Sequence, residues 1–300
     1  MYPAYLIPAL FAYFLLALAG LFDKVLLQTT IISPRAYAFY VGLLSILALV
    51  LLPFGVVSIP DRRILLAALV SGVTGVYALW SFYSALKSHE TSRVFMTTGA
   101  LIPIFTLVLS IIFLNENLRA PQLFGFFILL LGGAAASLKE NVRKRYTFEL
   151  FNHAAQAAAL FAISFTLMRL VFLAEPFLNG IFWVRMGGFL GALSIIAVPE
   201  SFNRIYWATK KAPKTAPIPF LLNQGLGGLG GLLQNYAISL GSAALVGAIQ
   251  GVQYAFLFIL ALFVSRFIPQ LKEEATPRQL VAKMAALLVI GSGIYFLTLR

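Results

Sequence analysis

The opening stretch "MYPAYLIPALFAYFLLALAGLF" carries no charged side chain before Asp23, and runs of this kind recur along the whole chain. A helix needs about 20 apolar residues to cross a hydrocarbon core about 30 Å thick. Ten segments fit, near 3–27, 34–52, 64–84, 92–114, 120–138, 150–173, 178–198, 217–238, 243–265 and 282–299. Turn and charge signals such as "IPDRR", "NENLRAP", "KENVRKR", "PESFNR" and "PQLKEEATPR" separate them. Only 11% of residues are charged, against about 25% in a soluble domain. Lipid admits helices or closed barrels, and these runs lack the alternation of strands. The expected fold is an all-α integral membrane protein with ten transmembrane helices.

No basic region precedes the first run, so it is expected to be a membrane helix rather than a cleaved leader. There is no cysteine, and only two histidines occur. Disulfides and thiolate sites are excluded, and a metal centre is not expected. No HExxH, P-loop, paired aspartates or Ser–His–Asp set is present, so neither cofactor nor catalytic residue is expected.

The net charge of +12 could suggest nucleic acid in a soluble chain. Here the basic residues lie between apolar runs, which points to orientation and anionic lipid. Sorted by alternate connections, sixteen Lys and Arg from Lys24 to Lys283 fall on one side. Arg62, Arg63, Arg119, Arg169 and Arg300 fall on the other, and Arg185 lies inside a span. The basic loops are therefore expected in the cytoplasm of a cell-membrane protein, with both termini outside. Expected partners are a small-molecule substrate and membrane lipid, with no nucleic acid, in a monomer or weak homo-oligomer.

Self-comparison adds organisation. "LVSGVTGVYALWSFYSAL" (69–86) lies over "LLNQGLGGLGGLLQNYAI" (221–238) at an offset of 152, placing Gly75 on Gly227 and Gly99 on Gly251. After an insertion, "NENLRAPQL" lies over "KEEATPRQL", pairing Glu116 with Glu273 and Gln122 with Gln279. The third span thus falls on the eighth, the fourth on the ninth and the fifth on the tenth. Two halves, 1–146 and 147–300, of five spans each follow, inverted because five is odd. Inverted repeats are a recurrent transporter architecture, with the substrate near the midplane.

The stretch 82–125 resembles the drug/metabolite transporter superfamily, EamA-like branch. It carries "FYSALK", a helix with a central Pro103 and the turn from Phe113 to Leu118. The resemblance extends over the chain as two such halves, with departures at Ala255 and Lys272 in the second copy and Gly42 in the second span. It implies a metabolite exporter working by alternating access, with amino acids as the leading cargo. Members more often have both termini inside, against the charge count.

Polar side chains inside spans are costly and usually face the bundle interior. Candidate substrate contacts are Tyr77, Trp80, Thr97 and Thr98 in the third and fourth spans, and Asn152, His153 and Gln156 in the sixth. The eighth span offers Asn223, Gln224, Gln234 and Asn235, and the ninth Gln250, Gln253 and Tyr254. In the eighth, steps of three and four put Asn223, Gly227, Gly230 and Gln234 on one face and Gln224, Gly228, Gly231 and Asn235 on the next. Amides thereby bracket a glycine groove, which small-residue helix packing would also explain. The same glycines imitate a dinucleotide fingerprint, yet no strand precedes them and no acidic residue follows before Glu273.

Asp23 with Lys24, and Arg169 with Glu175, are expected as helix-end charges reaching the interface. Glu116 and Glu273 are expected as surface caps, and Arg185 to hydrogen-bond backbone carbonyls. A membrane-embedded lipid-modifying enzyme would show acid/base groups clustered at one interface, and none are found. A non-transporting scaffold would tolerate charges in the groove.

Overall fold

The computed structural model describes residues 3–29, 33–89, 91–137, 148–264 and 277–298. Among these the regular elements are all helical. They are α1 (Leu6–Thr29), α2 (Pro34–Leu43) extended by a tighter 3₁₀ stretch over Leu44–Phe54, α3 (Arg62–Ser88), α4 (Thr91–Leu114) and α5 (Ala120–Ser137). There follow α6 (Phe148–Ala174), α7 (Phe177–Ile196), α8 (Pro199–Lys211), α9 (Pro217–Leu240), α10 (Ala243–Ile249), α11 (Gly251–Val264) and α12 (Pro277–Thr298). Lys139, Arg143, Lys144 and Arg145, like Arg266, Lys272, Glu273 and Arg300, lie outside the described residues.

Among the described residues six segments are long and apolar enough to cross a membrane: Leu6–Thr29, Pro34–Phe54, Arg62–Ser88, Arg93–Leu114, Phe148–Ala174 and Phe177–Ile196. Shorter apolar helices cover Ala120–Gly133, Ala243–Leu257 and Ala285–Thr298. α9 has the length, at 24 residues, but its glycines and amides lower its hydropathy. Large apolar side chains such as Phe11, Leu47, Phe54, Phe113, Leu131 and Leu222 are exposed on the outside of the bundle. Soluble monomers rarely expose so much contiguous apolar surface. The chain is a multi-pass, all-α membrane protein.

Local chemistry sets the helix ends. Ser33 Oγ accepts from the Ala36 amide at 3.3 Å, and Pro34 occupies the first turn, where its missing N–H costs nothing. Asp61 caps α3 through the Arg63 amide at 3.0 Å. Beyond α4 the chain turns through Asn115, whose φ of 51° asparagine tolerates better than most residues.

Two features differ from the sequence-based expectation. The connection beginning "PESFNR" contains α8. Its Glu200 pairs with Arg204 at 2.7 Å, and its Phe202, Tyr206 and Trp207 are exposed. Its Lys210 Nζ lies 5.0 Å from the Trp207 ring centroid. This is the composition of a helix lying in the membrane interface, and it is too short and polar to register as a span. The ninth segment is also interrupted at Gln250, between α10 and α11. No proline causes the break.

α3 packs between α6 and α7, α1 lies on α9 and α11, α4 on α6 and α10, and α5 on α12. The α3–α7 seam is a backbone-to-backbone contact. A Cβ on Gly72 would stand 2.1 Å from the Val184 carbonyl oxygen, and one on Gly187 would stand 2.4 Å from that of Leu69. Glycine is required at both positions for the helices to approach this closely.

Candidate functional site

The two glycine rows of α9 have different surroundings. The row through Asn223, Gly227, Gly230 and Gln234 is filled by α1. A Cβ on Gly230 would meet Leu16 Cγ at 3.0 Å and the Ala12 carbonyl at 3.2 Å, and one on Gly227 would meet Ala19 at 3.6 Å. Gln234 Nε2 donates to Tyr13 OH at 3.2 Å, and Tyr13 OH donates to the Val246 carbonyl at 2.8 Å. The groove expected between Asn223 and Gln234 is therefore a helix–helix seam.

The neighbouring row borders open space. At its start Gln224 Nε2 donates to Tyr37 OH at 3.2 Å, and Phe220 stands edge-on to the Tyr37 and Tyr40 rings at 5.1 and 6.1 Å. Farther along, a Cβ on Gly228 would meet nothing within 4 Å, and one on Gly231 would meet only Arg185 Nη2 at 3.9 Å. Asn235, the next member of the row, is buried and makes no side-chain hydrogen bond among the described residues. α9 thus touches α2 at its beginning through Phe220 and Gln224 and α7 only sparsely, leaving a wedge whose apex is Tyr37–Phe220–Gln224.

Asp23 is not an interfacial charge. It is buried and accepts from Tyr37 OH at 2.5 Å and Asn223 Nδ2 at 2.7 Å. Asn223 also donates to the Ala19 carbonyl at 3.3 Å. α1 continues to Thr29, one and a half turns past Asp23, which turns the carboxylate inward onto neutral donors.

Lys24 reaches the end of α3, donating to the carbonyls of Leu86, Lys87 and His89. Arg169 does the same for α9, donating to the carbonyls of Ile238 and Ser239 at 3.0 Å each. Those two carbonyls lie 152 residues after Leu86 and Lys87, the offset of the sequence repeat. The acidic partner of Arg169 is Glu116, at 3.0 Å, rather than Glu175, whose carboxylate accepts from Asn179 at 2.7 Å. Glu116 is consequently a half-buried ion-pair member, brought inward by the turn at Asn115.

The remaining candidates form separate groups. On α3 and α6, Ser81 Oγ donates to Gln156 Oε1 at 3.3 Å and Gln156 Nε2 to Asn152 Oδ1 at 3.2 Å. Tyr77 OH lies 3.0 Å from Ser194 Oγ, and the Arg35 guanidinium sits 4.5 Å over the Trp80 ring. His153 Nδ1 is buried without a hydrogen-bond partner among the described residues. Thr97 and Thr98 bond back to carbonyls of their own helix. Tyr254 OH donates to the Phe95 carbonyl, locking α11 to α4. Gln253 is buried, and neither it nor Gln250 makes a side-chain hydrogen bond among the described residues. Hydrogen bonds and ring contacts join the candidates into several small groups rather than one network.

Arg185 has no backbone acceptor among the described residues, contrary to expectation. It is a single charge within a long apolar run, the sequence signal that should have ranked it among the candidates, whereas the adjacent Lys24 made Asp23 look like half of a helix-end pair. Among the described residues no group of three or more His, Asp or Glu side chains is placed to hold a metal ion.

In its whole architecture the chain is similar to a solved crystal structure at a TM-score of 0.65 and 16% identity, covering 99% of this chain and 97% of that one. At that identity the likeness shows the fold alone. An uncharacterized protein of Methanocaldococcus jannaschii is 33% identical over 84 residues, which are 28% of this chain and 61% of that relative. Residues 4–138 match the EamA-like transporter family. That stretch is similar to the family, which is consistent with the drug/metabolite transporter superfamily.

Proposed function

We propose that the chain is a secondary transporter moving small metabolites, foremost amino acids, out of the cell by alternating access between halves 1–146 and 147–300. The observation that carries this is the difference between two seams related by the repeat. With the third span on the eighth and the second on the seventh, α3 against α7 corresponds to α9 against α2. The first seam is shut by backbone contact at Gly72. The second is open beyond Phe220. One face closed and its counterpart open is what a rocking two-half transporter presents at one end of its cycle.

The matching caps support the two halves. Lys24 of the first helix holds the third, and Arg169 of the sixth holds the eighth span at the carbonyls the repeat predicts. Exchange of the halves also carries α1 on α9 into α6 on α3, and both pairs are packed. In this arrangement Asn235, Gln250 and Gln253, whose side chains make no hydrogen bond among the described residues, are the sequence-derived candidates most available to cargo. The outward direction rests on the family resemblance, and the cytoplasmic side is assigned to the basic loops.

The test is counterflow in proteoliposomes loaded with each amino acid in turn. Exchange of labelled substrate above protein-free vesicles is expected for at least one apolar or aromatic amino acid. Gln250→Ala combined with Gln253→Ala is expected to lower that exchange at least tenfold. No exchange with any amino acid overturns the cargo assignment, and full exchange by the double variant removes those two residues from the site.

A further inference from the structure

Arg185 occupies the ninth position of the 20-residue α7, close to the helix midpoint. A cation at such a depth is expensive unless it is paired or faces a watery cavity. The other deep cations are satisfied: Lys24 and Arg169 hold helix-end carbonyls, and Arg169 also has Glu116. Arg185 has neither ion pair nor hydrogen bond among the described residues. Its Nη2 instead lies 3.9 Å from where a Cβ on Gly231 would stand, and a Cβ on Gly228, one turn earlier on that face, would meet nothing within 4 Å. Asn235, one turn later, is 6% exposed and likewise lacks a partner among the described residues. A planar fork of N–H donors therefore borders a gap left by glycines, with the Asn235 amide one turn along the same helix face and no acceptor for either among the described residues.

We propose that Arg185, seconded by Asn235, is an oxyanion subsite in the wedge between α9 and the α2–α7 pair, taking the carboxylate of a small organic acid. Two parallel N–H···O bonds from a guanidinium match a carboxylate in shape and charge. A single cation balances a single negative charge, whereas a phosphate dianion would be left half-compensated. Glycine at 228 and 231 provides the width for the acid beside the guanidinium. The subsite rests on the transporter assignment only for calling the acid cargo; binding itself does not.

The test uses purified full-length protein in neutral phosphatidylcholine nanodiscs, which removes anionic headgroups as a source of the oxyanion. Thermal shift and calorimetric titration are run with acetate, benzoate and L-phenylalanine, and in parallel with L-phenylalaninamide, inorganic phosphate and vesicles containing phosphatidylglycerol. At least one carboxylate is expected to bind saturably, at least tenfold tighter than the amide and phosphate. Arg185→Gln is expected to weaken that binding at least thirtyfold and Arg185→Lys less. Should Arg185→Gln fail to fold, Gly231→Val fills the space beside the guanidinium against only its movable end, and is expected to fold and abolish binding. No saturable carboxylate binding, equal affinity for the amide, preference for phosphatidylglycerol, or wild-type affinity in folded Arg185→Gln or Gly231→Val would each overturn the subsite. Binding without proteoliposome exchange breaks the transport assignment and leaves the subsite standing; exchange undiminished in Arg185→Gln does the reverse.

Discussion

Where α3 meets α7, Gly72 faces Gly187 and Gly188 and the two backbones touch. Where α9 approaches α2, Gly228 and Gly231 are just as small, yet the space beside them is empty apart from Arg185. The facing helix makes the difference. α7 also presents glycines, so nothing keeps the axes apart. α2 presents Tyr37 and Tyr40, and their rings against Phe220 hold the start of α9 away. Glycine in a membrane helix permits close approach, and its neighbour decides whether the approach happens.

The sharpest way to break the comparison is a bulky side chain in each seam. Gly72→Leu drives four carbons into the α7 backbone and should yield no monodisperse protein on size exclusion in detergent. Gly228→Leu should fold, with a melting temperature within a few degrees of wild type. Equal failure of both would mean the wedge is not there.

Next in size is the joint at the end of α9. Arg169→Ala leaves Glu116 half-buried without its cation and should cost about 3–5 kcal/mol. Lys24→Ala strips carbonyls at the end of α3 without stranding a carboxylate, and should cost only about 1–3 kcal/mol. Guanidinium-free thermal unfolding of the two variants checks the order, and Lys24→Ala proving the worse would reverse this account of the caps.

Single methyl groups give the finer contrast. Gly187→Ala presses a Cβ on Leu69 and should destabilise by about 1–3 kcal/mol, while Gly228→Ala should stay within about 0.5 kcal/mol. The smallest perturbation is a label. Because the chain has no cysteine, Gly228→Cys supplies a single thiol, expected to react with a water-soluble maleimide in nanodiscs. Ser71→Cys, buried between α3 and α6 against Ser164, should not react, and equal labelling would show that the wedge is no more open than a packed helix contact.

Much of the candidate site could be found from the sequence, but its grouping could not. The eighth span and its two glycine rows follow from spacing alone. Which row is filled could not follow, since Ala12, Leu16 and Ala19 come from a helix some 200 residues away. Thr97, Thr98 and Tyr254 looked available because a sequence lists their hydroxyls without the carbonyls that accept them. α8 was missed because a short amphipathic helix resembles a charged loop once the search is for 20-residue apolar runs.

By itself the sequence determined a helical, lipid-embedded chain with a repeat at 152 residues, because the need to satisfy every backbone group in hydrocarbon acts within each run. The tertiary structure alone decided that Asp23 turns inward to Tyr37 and Asn223, that Arg169 pairs with Glu116, and that Arg185 faces a gap. Those outcomes depend on which distant side chain arrives opposite, and on whether two facing surfaces are both small enough to meet.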